Sequence, residues 1–167
     1  KSKKKIAPMV IAFPYNQVNI LDYNRVIKTS MKFENIKKVI SKNFSLDLSK
    51  NNKKLKQNQI EMYTNNKWYT LQLFKKSKEL DVTTLRKLIL NKILKSKKNI
   101  KFVSGFKGKK ALENFVNSKK YNLAFRLYPT NISQVLSFAE KKKYMPQKST
   151  WFHPKPLDGL ISSRIIS

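Results

Sequence analysis

Apolar residues fall in short runs separated by polar or Pro-containing breaks, and their spacing predicts alternating strands and helices. Residues 9–13 are an apolar run closed by Pro14. Residues 18–27 bring Val18, Ile20, Leu21, Tyr23, Val26 and Ile27 at strand spacing, so the two runs predict a β-hairpin turning through Asn16 and Gln17. Phe33, Ile36 and Ile40 recur at helical spacing and predict a short amphipathic helix over 33–42. A strand starts at 43–47, and 48–58, rich in Lys, Asn and Ser, reads as an exposed loop. Residues 59–63 and 67–74 flank Thr64-Asn65-Asn66. Asn tolerates positive φ, which makes this a tight hairpin with Trp68 and Tyr69 opening the return strand.

The second half alternates more regularly. Asp81 or Thr83 caps a helix carrying Leu85, Leu88, Ile89 and Ile93, which ends in the basic stretch 95–98. A strand over 100–103 follows, then a turn holding Gly105 and Gly108, a helix through Ala111, Leu112, Phe115 and Val116, and a strand over 122–128 stopped by Pro129. Thr130 or Asn131 caps a helix with Ile132, Val135, Leu136 and Ala139. Residues 144–156 are dense in Pro, aromatics and hydrogen-bond donors, and 160–166 form a closing strand. The expected architecture is one α+β domain over 1–167: a mixed sheet with early antiparallel hairpins and helices packed on its faces. Length permits one ordinary domain, and 40% hydrophobic residues suffice for a core, which excludes a disordered basic tail.

Composition narrows the chemistry. Without Cys there are no disulfides, thiolate metal sites or cysteine nucleophiles, and a single His excludes multi-His metal centres. The expected metal content is none. No apolar run nears the ~20 residues that span a bilayer, and 6–13 is too short and Pro-interrupted for a signal peptide, so the chain reads as cytoplasmic and free of membrane contact. Lys plus Arg total 37 against nine acidic residues, a net charge of +28. Such an excess attracts polyanions. Only Arg25, Arg86, Arg126 and Arg164 are arginines, however, and the lysines are scattered. Arg is the residue suited to bidentate phosphate and guanine contacts, so AT-biased coding accounts for the lysines better than a dedicated nucleic-acid site does. Position 1 is Lys rather than Met, which fits either a fragment of a longer protein or an expression boundary.

Lys148, Ser149 and Thr150 offer one ammonium and two hydroxyls in three residues, a suitable set for a phosphate or carboxylate. No glycine-rich loop precedes them, so this is not a P-loop. A turn that ends the sheet, with Ser149 or Thr150 bonding the backbone and Trp151 and Phe152 buried, explains the same residues. Arg25 clamps an anionic ligand or makes a structural ion pair, and strand alternation places Asp22 on the opposite face from it. The glycines at 105 and 108 serve an anion site at a helix N-terminus or simply permit positive φ, the latter being the more economical reading. His153, between Phe152 and Pro154, reads as a half-buried surface residue.

The run Met145-Pro146-Gln147-Lys148-Ser149-Thr150-Trp151-Phe152, with Pro154-Lys155 and Gly159-Leu160, resembles the closing half of domain-of-unknown-function family 1015. The segments 20–26, 68–69, 79–82, 101–105 and 123–129 fit the family pattern in order. Family members are typically more than twice this length, and their upstream half carries an Asp-Gly-His-His-Arg type motif like that of ParB-like proteins, which this chain lacks. The resemblance implies that the chain is the C-terminal half of a small-molecule metabolic protein. It further implies phosphoryl chemistry linked to serine metabolism, related to ParB-like kinases, with the upstream half missing or separately encoded. The binding residues expected here are Arg25, Lys148, Ser149, Thr150 and Lys155, for a small anionic ligand. Cofactors and catalytic residues are not indicated, and His153 stands where the family more often has Glu or Tyr. The alternative is a basic RNA-associated protein.

Overall fold

A computed structural model describes residues 10, 12–49, 54–94 and 96–155. The organising element is the hairpin of β4 (Gln59–Thr64) and β5 (Lys67–Leu73), joined by Asn65 and Asn66 at φ 49° and 57°. Both turn residues are left-handed, the conformation a two-residue hairpin needs to match strand twist. Strands β2 (Tyr23–Ile27), β3 (Phe44–Leu48), β6 (Ile100–Ser104) and β7 (Leu123–Leu127) complete a six-stranded sheet in the order β3-β5-β4-β7-β2-β6. A separate two-stranded ribbon pairs β1 (Asn19–Leu21) with β8 (Trp151–His153).

The α+β class is as the sequence pattern indicates, but every strand pairing is antiparallel rather than mixed. The unit of β6, the helix at Gly108–Asn117 and β7 does return its second strand in the same direction as its first. The two never pair, because β2 lies between them and bonds antiparallel to both. The 18–27 run also differs from expectation. It breaks at Asp22 into β1 and β2, which join different sheets, and the predicted hairpin with 9–13 is not formed among the described residues, where 15–17 are a single 3-10 turn. The predicted strand 160–166 lies outside the described residues.

Alternation along the strands gives the sheet two unequal faces. One carries Ile27, Ile60, Met62, Leu71, Leu123 and Phe125, all essentially inaccessible, and is covered by α1 (Phe33–Ile40) and by α2 (Asp81–Leu85), which runs through a π-helical turn at Arg86–Leu90 into α3 (Asn91–Ile93). The other packs Val26, Tyr63, Val103 and Ala124 under Leu112 and Val116 of α4 (Gly108–Asn117). The final helix α5 (Ile132–Glu140) is capped as its sequence predicts, with the Asn131 side chain accepting the Gln134 N–H at 2.8 Å and Gln134 returning a bond to the Asn131 N–H. Neither Asp81 nor Thr83 caps α2. Leu80 holds the cap position, and the Asp81 carboxylate accepts the Asn58 N–H at 3.0 and 3.2 Å instead.

Candidate functional site

Arg25 sits in the middle of β2, 3% exposed, with its guanidinium 5.3 Å from the centre of the Phe102 ring. It makes no ion pair among the described residues. It donates to the carbonyls of Tyr23 and, at 2.8 Å, of Lys148. Burial pulls its pKa down to about 10, and the guanidinium stays charged at neutral pH. The second of those bonds fastens the 144–153 segment to the sheet.

Around that fastening the predicted residues gather. Lys148 adopts a left-handed backbone, φ 55°, and lays its exposed ammonium 5.6 Å from the centre of the Tyr23 ring. Ser149 is buried, and its carbonyl accepts the Thr130 hydroxyl at 3.1 Å. Thr150 is half-buried, at the edge of β8. Lys155 rests its ammonium 4.3 Å above Trp151, whose ring meets Tyr23 edge-on at 5.5 Å. Two ammonium groups are thus held on two touching aromatic rings, each by a contact worth roughly 0.5–1 kcal/mol at an exposed position. Ser149 contributes backbone rather than an open hydroxyl. His153 is half-exposed and stacks on Phe106 at 5.1 Å.

Asp22 lies beside this cluster, at the break between β1 and β2. Its backbone carbonyl accepts the Gly105 N–H at 2.7 Å, and a Cβ on Gly105 would stand 2.1 Å from Oδ1 and 2.8 Å from that carbonyl oxygen. Gly105 is therefore required by close approach, whereas Gly108, at φ 66° and ψ −178°, takes a backbone conformation open essentially to glycine alone. Burial raises the Asp22 pKa, opposed by the Asn24 side chain and by Arg126 and Arg25. Its Oδ2 and the Nε1 of Trp151 are both buried without a hydrogen-bond partner among the described residues.

A second polar cluster joins residues far apart in the sequence. Glu61, buried inside β4, bonds Arg126 Nη1 of β7 and Lys109 Nζ of α4, each at 2.8 Å. Glu61 and Arg126 face each other directly in the sheet register. A charged residue inside each of two apolar strands was the signal available. Glu61 has both oxygens engaged, so the cluster locks α4 to the sheet. Trp68 joins it, donating to Glu113 at 2.8 Å under the Lys109 ammonium, and so is hairpin core as its position implied.

Fold and site together define an α+β domain built on an antiparallel sheet, with a Lys- and aromatic-bearing segment latched to one strand. A family model described as Protein of unknown function (DUF1015) matches residues 3–90, more than half of the 167, and the chain belongs to that family. The match covers the first half of the chain and not the 145–152 run that carries the resemblance in the sequence. Among solved structures, a conserved hypothetical protein from Pyrococcus furiosus superposes with a TM-score of 0.55 at 11% identity, over 81% of this chain and 56% of that one. A free serine kinase mutant in complex with AMP gives 0.53 at 11% identity, over 81% and 54%. The corresponding complex with ADP gives 0.51 at 11% identity over the same shares. These likenesses show the fold, and the chain spans about half the length of the structures it matches. Comparison with curated proteins finds no match. No helix among the described residues is long and apolar enough to cross a membrane.

Proposed function

We propose that this chain is the C-terminal portion of a cytoplasmic small-molecule protein that holds a small anionic ligand of the serine or phosphoserine type. Lys148, Thr150 and Lys155 face the ligand, with Arg25 and Ser149 positioning them. The observation that carries this reading is the latch from Arg25 to the Lys148 carbonyl. A buried guanidinium bonded to a backbone oxygen fixes a segment that carries two ammonium groups on aromatic faces. Kinase-type phosphoryl transfer is the activity proposed for the whole protein, resting on family resemblance and on a fold shared with a free serine kinase.

The rest of such a protein has a surface to cover. Ile20 pairs with Phe152 across the ribbon and also lines a 290 Å³ groove with Val18, Tyr128 and Ile132. That exposed apolar strip, with solved neighbours about twice as long as the matched stretch, supports a complementary half as its occupant.

Lys148→Ala should abolish the thermal shift produced by phosphoserine while leaving the unliganded melting temperature within about 1 °C, as expected for an exposed side chain. Arg25→Ala should lose the phosphoserine shift and lower the unliganded melting temperature, because it releases the segment and leaves the part-buried carbonyls of Tyr23 and Lys148 without their donor. Phosphoserine binding that survives Lys148→Ala overturns the assignment. A response restored only by adding the complementary half supports the divided protein.

A further inference from the structure

A cleft of about 460 Å³ opens at the far side of the sheet, where β5 runs out and α2 begins. β4 and β7 separate β5 from β2, a lateral distance of about 14 Å at ordinary strand spacing, so this cleft is distinct from the Arg25–Lys148 segment. Leu73, Phe74 and Leu88 supply an apolar wall, and Phe74 is 64% exposed. Lys42, Lys75 and Lys76 line the same space, and none of the three meets a carboxylate among the described residues. Glu79 is the acid in the lining, and Lys87 already engages it at 2.5 Å. Three unpaired ammonium groups around one concavity repel each other unless an anion joins them.

The walls are fixed. On one side, Phe74 N–H donates to the Asn43 carbonyl at 3.0 Å. On the other, Ser77 N–H donates to Asn58 Oδ1 at 2.8 Å, and Asn58 N–H in turn donates to the buried Asp81 carboxylate. The cleft is thus preorganised on backbone hydrogen bonds.

The geometry points to a nucleotide site here: the phosphates of a mononucleotide sit among Lys42, Lys75 and Lys76, and its base lies on Phe74 against Leu73 and Leu88. The volume falls within the range of small-molecule pockets. Bare phosphate would leave the apolar wall wet, whereas a nucleotide brings a flat ring for it; stacking of a base on an aromatic side chain contributes roughly 1–3 kcal/mol. At about 460 Å³ the cleft has room for one nucleotide, and a strand lying across it is the alternative that the oligothymidylate arm below tests.

The test is titration of the full chain with ATP, ADP, pyrophosphate and a short oligothymidylate, read by thermal shift and calorimetry at low salt. All substitutions fall on exposed side chains, so folding is retained. ADP and ATP should bind saturably at one site. Lys75→Ala combined with Lys76→Ala should weaken both by about tenfold or more. Phe74→Ala should weaken the nucleotides but not pyrophosphate, and Lys120→Ala, an exposed lysine that lines neither site, should change neither. Pyrophosphate matching ATP, with Phe74→Ala silent, would reduce the cleft to an anion patch and overturn the nucleotide assignment. Oligothymidylate outcompeting ATP would assign the surface to nucleic acid. Nucleotide binding lost in Lys148→Ala but kept in the Lys75/Lys76 double variant would sink this site while leaving the Lys148 reading standing. Absence of any nucleotide response in the wild-type chain also overturns it.

Discussion

Asp81 shows how one buried residue sets a pH response. Burial raises its pKa from 3.8 to about 6, opposed by the hydrogen bond from the Asn58 backbone. The folded state therefore binds this proton more tightly than the unfolded chain does. Between about pH 4 and pH 6 the native state holds more protons, so this group's contribution to stability falls as pH rises and its full penalty is present above pH 6. Asp81→Asn keeps an acceptor for Asn58 and removes the charge. Relative to that variant, the wild type should gain about 1 kcal/mol between pH 7 and pH 5 in urea unfolding. Parallel pH profiles for the two proteins would show that Asp81 is not buried as described. Because Asp81 anchors Asn58, and Asn58 anchors Ser77, the same titration reaches the wall of the cleft.

Among elements, what the sequence reveals depends on how local the cause is. The β4–β5 hairpin is legible because Asn65 and Asn66 carry their own left-handed preference, and α5 because Asn131 and Gln134 cap within a single turn. The break of 18–27 into β1 and β2 is not legible, since what holds Asp22 out of both strands is the distant Gly105 turn. The site divides in the same way. Lys148 and Lys155 stand out by residue type, but the Arg25 latch ends on a backbone carbonyl, which no side-chain pattern displays. Glu61 and Arg126 are visible as charges in apolar strands, yet only the sheet register makes them partners. The Asp22–Gly105 contact gives its own prediction. In Gly105→Ala the Asp22 side chain can rotate away, but its carbonyl oxygen, bonded to the Gly105 N–H, cannot. The variant should lose about 1–3 kcal/mol in urea unfolding. Gly108→Ala meets nothing within 4 Å of the added carbon, but φ 66° with ψ −178° is a conformation open essentially to glycine alone, so it should also lose about 1–3 kcal/mol, through backbone strain rather than a clash. Equal stability of Gly105→Ala and wild type would refute the close approach.

For the whole molecule the governing quantity is a net charge of +28. The described ion pairs use only Glu34, Glu61, Glu79 and their four basic partners, which leaves most lysines facing one another through solvent. Exposed pairs such as Lys37–Glu34 are worth at most about 1 kcal/mol, so they offset little of that repulsion. Folding concentrates the charge into a smaller volume than the unfolded chain occupies, and this opposes compaction. Salt shortens the reach of each charge from about 30 Å at 0.01 M to about 3 Å at 1 M. It should therefore stabilise this fold, against the usual weakening of surface ion pairs. We expect the melting temperature to climb by about 5 °C between 20 mM and 500 mM sodium chloride, corresponding to about 2 kcal/mol for a chain of this size. The rise should be gradual in ionic strength. A saturable rise at millimolar anion would instead report site occupancy at Lys148 or the cleft. A melting temperature that falls with salt would mean that the Glu61 lock and the few surface pairs outweigh the repulsion, and that the lysines are spaced widely enough to carry no stability cost.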